Sequence, residues 1–191
     1  MGFCPKTHEI LYTYKTNKQM LRSIVNFKDT SDYLPILNGV ILTDGIVILC
    51  LIFGLIQSKV LTGWYRDLSL SAVICDVLII VLGIILARFL YPYIFSSYKL
   101  WKFILLAVAI QCTHDILFYL FCQSVPRGKS RILDIFKNYG AEKGGGAIVA
   151  DSLMMISSIL IASYLKGFSL NTNIITCIVL VYLIPYLIYT V

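Results

Sequence analysis

Apolar positions in this chain fall into five long unbroken runs, not into the alternating pattern of half-buried strands. Leu34 to Gln57, Leu70 to Phe95, Leu100 to Ser124, Gly146 to Leu165 and Thr172 to Val191 each supply the ~20 predominantly apolar residues that a helix needs to cross ~30 Å of hydrocarbon. A membrane β-barrel would instead show ~10-residue alternating segments. Inside lipid every backbone amide must find an internal partner, which leaves the helix. The pattern therefore predicts an all-α integral membrane protein with five transmembrane helices spanning residues 34–191, preceded by a basic tail over 1–33.

Two polar stretches carry helical periodicity. Between Asn17 and Lys28, Met20, Leu21, Ile24 and Val25 share one face while Lys18, Arg22 and Asn26 take the other, the pattern of a helix lying on a membrane surface. The connection 125–145 contains a second such segment. Ser130 can cap it, Asp134 lies near its start, Ile132, Leu133, Ile135, Phe136 and Tyr139 form its apolar side, and Gly140 can end it. Lys18, Arg22, Arg127, Lys129, Arg131, Phe136 and Lys137 are the expected contacts to lipid headgroups or a partner protein, because the 125–145 connection is longer than the 2–8 residues usual between helices.

Composition agrees with the pattern. The 191 residues are 59% hydrophobic and 14% charged, where soluble domains carry roughly a quarter charged residues. Lys and Arg give little orientation: with five crossings, nine (Lys6, Lys15, Lys18, Arg22, Lys28, Arg88, Lys99, Lys102, Lys166) lie on the amino-terminal side and the remaining seven opposite, a slight bias toward an internal amino terminus. Six cysteines lack any CxxC spacing, so neither zinc nor a disulfide framework is indicated and they read as packing residues. No metal, cofactor or nucleic-acid signature is evident. Met1-Gly2 lacks the Ser/Thr of an acylation signal at Lys6, and Gly128-Lys129-Ser130 lacks the upstream glycine and strand of a phosphate loop.

The informative feature is one aspartate in each of the first four runs: Asp44, Asp76, Asp115 and Asp151. An ionised Asp at mid-membrane costs ~2.5–3.5 kcal/mol even on lenient insertion scales, so these side chains should face the bundle interior. A 1.5 Å rise per residue puts Asp76, Asp115 and Asp151 roughly 9–14 Å from one surface and Asp44 nearer ~20 Å. Gln111 and His114 join Asp115; His114 points away from it in a regular helix and is expected to bond an acid on another span. Ala72, Asp76, Gly83 and Ala87 share their spacing with Ala147, Asp151, Ser158 and Ala162, and the offsets of 71 and 75 between the acids read as a duplicated two-helix hairpin. Small residues at these spacings place each acid on a helix contact face. Three roles compete: hydrogen-bonded polar glue between helices, a proton or cation pathway, and catalysis. Arg88, near the end of the second run, reads as an interfacial anchor.

Thr113-His114-Asp115-Ile116-Leu117-Phe118-Tyr119, Pro126-Arg127-Gly128, Asp134-Ile135-Phe136-Lys137-Asn138-Tyr139 and Ala150-Asp151-Ser152-Leu153-Met154-Met155 together resemble multi-spanning inner-membrane and membrane-embedded minor capsid proteins of large icosahedral double-stranded DNA viruses. The resemblance covers roughly residues 105–165 and leaves out the tail and first run. It implies a structural role in the virion internal membrane, made in a host membrane during assembly, with lipid, capsid proteins, other virion membrane proteins or further copies of this chain as partners. It transfers no catalytic residues. The alternative expectation is a proton- or cation-conducting channel or transporter using the intramembrane Asp and His side chains.

Overall fold

The computed structural model describes residues 22–191. Seven α-helices follow a 3-10 turn at Thr30–Asp32: α1 (Tyr33–Ile52), α2 (Lys59–Leu68), α3 (Leu70–Ile94), α4 (Leu100–Ser124), α5 (Arg131–Lys143), α6 (Gly145–Leu165) and α7 (Leu170–Ile188). Five of them, α1 with its preceding turn, α3, α4, α6 and α7, are long and apolar enough to cross a membrane. Their order gives a proximal face with the Asp29–Asp32 segment, Lys99 and Lys166, and a distal face with α2, α5 and Val191.

The spans begin and end near the predicted positions, with one shortening. The first was expected to reach Gln57, but helix α1 ends at Ile52. Gly54, at φ +69°, lets the chain turn back so that the Leu55 and Ile56 amides both bond the Cys50 carbonyl, at 2.8 and 3.1 Å. This turn frees residues for α2, which the hydropathy pattern did not reveal.

The first six helices repeat one design. A span, a serine-capped surface helix, a residue with positive φ and a second span occur twice in succession. The Ser58 side chain accepts from the Leu61 amide and the Ser130 side chain from the Leu133 amide, one N-terminal cap in each unit. The surface helices start alike, Ser58-Lys59-Val60-Leu61 and Ser130-Arg131-Ile132-Leu133, and carry an aromatic six residues after the cap, Trp64 and Phe136. They terminate at Ser69 (φ 50°, ψ −125°) and Gly144 (φ 51°, ψ −130°), each followed at once by a span.

Packing follows the repeat. Helix α1 packs on α6 and α3, while α4 packs on α3 and α6, and α2 packs on α5; exchanging the two units reproduces these pairings, as a two-fold axis along the membrane normal would. Trp64 and Phe136, equivalent in the repeat, touch each other with ring centroids 4.9 Å apart. Helix α7 stands outside the repeat and packs mainly on α1.

Close approach of α1 to α6 rests on small residues. A Cβ built on Gly39 would lie 2.8 Å from the Ser158 carbonyl oxygen and 2.9 Å from the Ala162 nitrogen, both backbone atoms that cannot swing aside. Ser158 and Ala162 are fully buried, as are Ala72 and Ala87 of α3, which places these four small residues at helix contacts. On the α7 side, buried Asn38 donates to the Asn173 carbonyl at 2.8 Å, and Asn173 donates to the carbonyls of Leu165 and Ser169 at 3.0 and 3.2 Å. One amide pair thus ties α1 to the α6–α7 turn.

The tail helix expected over Asn17 to Lys28 is not continued into the described residues. Residues 22–26 are non-helical, the Arg22 amide donates to the Ser163 carbonyl at 3.0 Å, and Ile24 and Val25 are buried. Apolar side chains read as a lipid-facing stripe cover the proximal end of the bundle instead. The rest of that segment, Lys18 included, lies outside the described residues.

Two outcomes are expected. Gly39→Val should destabilise the bundle by about 1–3 kcal/mol or more through overpacking, whereas Gly63→Ala, whose added Cβ would lie 3.9 Å from Asp67, should leave thermal unfolding in detergent unchanged or slightly raised. Single cysteines at positions 28 and 190, in a chain otherwise without cysteine, should react with a membrane-impermeant reagent from opposite sides.

Candidate functional site: a row of intramembrane acids beneath a helical platform

The four span aspartates form a row near the distal face. Asp44 and Asp76 lie close enough for their charges to act on each other, as do Asp76 with Asp151 and Asp151 with Asp115. The row runs Asp44, Asp76, Asp151, Asp115, with each unit of the repeat contributing one outer and one inner acid. The small-residue contact faces predicted from sequence bring them together, because each acid shares its face with the residues that pack.

Donors to the row come largely from the surface helices and from α4. Tyr65 Oη donates to Asp44 Oδ1 at 2.7 Å, and Trp64 Nε1 donates to Asp76 Oδ2 at 2.9 Å. Trp64 and Tyr65 are buried although α2 is a surface helix; sequence reading missed both, and the pair of aromatics flanked by charge at Lys59, Arg66 and Asp67 was the available signal. Burial and then the charges of Asp76 and Asp44 push the Tyr65 hydroxyl well above its ordinary range. From α5, Tyr139 approaches the inner acids: burial first, then Asp151, Asp76 and Glu142, push its hydroxyl up to about 12. Both phenols therefore stay protonated at neutral pH, and Tyr65 keeps its donor.

On α4, Gln111 Nε2 donates to Asp115 Oδ1 at 2.7 Å. His114 was expected to reach an acid on a different span, but its Nδ1 lies 3.2 Å from Asp115 Oδ1 in its own helix. Stacking of its ring on Phe118, with centroids 5.6 Å apart and planes 12° from parallel, holds it along α4. Among the described residues no three His, Cys, Asp or Glu side chains converge as a metal site; the acids are strung out along the row.

Above the row, α2 and α5 form one platform. The Val60 amide donates to Glu142 at 3.1 Å, Lys143 Nζ donates to the Gln57 carbonyl at 2.9 Å, and Arg131 lies 3.9 Å from Asp67. These links join the start of each surface helix to the end of the other. Helix α5 continues past Gly140 to Lys143; the lack of a Cβ at Gly140 is used for packing, since one there would sit 3.2 Å from the Tyr119 ring.

The platform corrects two expected contact residues. Phe136 is wedged between Trp64 and the edge of Phe118, whose centroid is 5.0 Å away. Lys137 is 5% exposed and bonds the Val125 carbonyl. The apolar side of α5 meets protein instead of lipid, so both side chains are internal fasteners. Arg127, Lys129 and Arg131 are exposed on the distal face, as is Arg22 at the proximal end.

The proximal face holds a second polar cluster, which sequence reading did not assemble. Arg88 is fully buried, not extended to an interface. Its Nη2 bonds Asp32 Oδ2 at 3.0 Å and the Asp29 carbonyl at 2.9 Å, and the guanidinium lies 4.9 Å from the Tyr33 ring centre. Lys166, at the end of α6, pairs with Asp32 and with Asp29 Oδ2 at 3.1 Å. Two acids and two bases therefore join the segment before α1 to α3 and α6. The Asp29 carboxyl is held at about 2, below its ordinary 3.8, by its bond from Ser31 and then by Lys166.

Five apolar crossings in a single helical bundle define an integral, multi-pass membrane protein. No protein-family model, curated protein or solved structure matches the chain.

Arg88→Met should cost about 3–5 kcal/mol, because it breaks a buried ion pair and leaves Lys166 the sole cation against the Asp32 carboxylate; chemical unfolding followed by circular dichroism measures it. Since the Asp29 carboxyl is depressed, its contribution is complete above about pH 4 and fades as the pH falls toward 2. Ser31→Ala should remove the larger share of that acid-range dependence from the unfolding midpoint, and Lys166→Met a smaller one.

Proposed function

We propose that this chain is a structural protein of a virion internal membrane, packing laterally in the bilayer and linking it to capsid or minor capsid proteins through the α2–α5 platform. The observation that carries this reading is the platform: two surface helices locked to each other and fixed onto the bundle by Trp64, Tyr65 and Phe136. A lipid-floating helix needs no such locking, whereas a docking surface gains from being held rigid before its partner arrives. The viral setting rests on the resemblance of residues 105–165.

Charge on the platform suits an acidic partner. Arg127, Lys129 and Arg131 are exposed within five positions, while nearby Asp67 lies against Arg66 at 2.9 Å and Glu142 against Lys143 at 3.4 Å. Two interior acids are likewise engaged across elements, Asp44 by Tyr65 and Asp76 by Trp64, which favours their use as fasteners; Asp115 is engaged by Gln111 within α4. A second reading, a proton- or cation-conducting channel or transporter, is favoured by the continuity of the row across both units of the repeat.

Arg127→Glu with Lys129→Glu should reduce incorporation into particles by about tenfold, equivalent to ~1.4 kcal/mol of lost binding, while membrane insertion and thermal unfolding stay as in the parent chain. Quantitative immunoblotting of purified particles against total membranes measures the ratio; undiminished incorporation would rule out the platform as the docking face.

A further inference from the structure

Between α3 and α4 a crevice of about 140 Å³ opens on the outside of the bundle. Its walls include Leu82, Leu86 and Ile110, with Gly83 at its back and Gln111 and His114 at its polar end. Leu82 and Leu86 are exposed, so the mouth meets the hydrocarbon of the bilayer. Gln111 is eleven residues along α4 from Leu100, roughly 17 Å into the membrane.

Gln111 is 4% exposed, and its amide nitrogen donates to Asp115 at 2.7 Å. Its Oε1, lying 3.7 Å from the Cβ position of Gly83, receives no hydrogen bond from any described residue. Asp115 Oδ1 accepts from Gln111 and lies 3.2 Å from His114 Nδ1. The crevice thus ends at an amide oxygen that accepts no hydrogen bond from the described residues. Hydrocarbon supplies none, and an amide carbonyl left unpaired at this depth is disfavoured.

We propose that this crevice binds a lipid chain bearing a hydroxyl group, the chain lying on Leu82, Leu86 and Ile110 and the O–H donating to Gln111 Oε1. A cavity of this size class holds a benzene-sized guest, so a stretch of about five or six carbons fits, and a mid-chain hydroxyl arrives at the depth of the amide. A headgroup hydroxyl stays at the interface and cannot.

The test uses the full chain in liposomes doped with either of two photoreactive phospholipids. One carries a mid-chain hydroxyl beside its diazirine, and the other is identical without the hydroxyl. Crosslinking to the peptide containing Ile110 to His114 should favour the hydroxylated lipid by fivefold or more, and Gln111→Leu should erase the preference while the plain lipid labels as before. Leu82→Trp, which fills the mouth from an exposed position and leaves the interior untouched, should also erase it. Equal labelling by the two lipids, as water in the crevice would give, overturns the proposal, as does a preference that survives either substitution.

Discussion

Hydrocarbon offers no partner to a polar group, so polar side chains placed inside the bundle draw their partners from the protein, and that constraint organises both ends of this molecule. At the proximal end, a buried guanidinium, a lysine and two carboxylates hold the chain before α1 against α3 and α6. At the distal end, the span acids draw Trp64 and Tyr65 inward and so decide where α2 lies. Between these polar layers the apolar contacts are close because Gly39 meets Ser158 and Ala162 backbone to backbone. Dispersion and close fit dominate where lipid competes equally for apolar surface.

The repeat explains how one layer can contain four acids. A unit of span, capped surface helix and span carries an outer and an inner aspartate, and exchange of the two units brings the inner pair, Asp76 and Asp151, together while Trp64 meets Phe136. The surface helices consequently become a single platform with cross-links at each end. The units differ in their donors: Asp44 is served by a tyrosine from α2, whereas Asp115 is served from within α4. Helix α7 breaks the symmetry by covering mainly α1.

Much of this was legible in the sequence, and what was not has specific physical reasons. The spans and the serine cap of α5 could be read because length, hydropathy and capping are local properties. Helix α2 escaped notice because ten residues with three charges do not stand out between two long apolar runs. Arg88 read as an anchor because its partner, Asp32, lies 56 positions away in sequence, beyond any helical spacing. Phe136 and Lys137 read as surface contacts because an amphipathic pattern shows that a face is covered without showing whether lipid or protein covers it. His114 read as reaching another span because ideal helix angles take no account of the stacking that turns its ring toward Asp115.

The central claim is that Asp44 and Asp76 fasten α2 to the spans and that the row of acids is not a proton pathway. Proton flux into liposomes containing the purified chain, followed with a trapped pH-sensitive dye under an imposed potential, tests it most directly. The account predicts flux equal to protein-free liposomes, for the parent chain and for Asp76→Asn alike. Flux well above that background, abolished by Asp76→Asn in a protein that still folds, would contradict it.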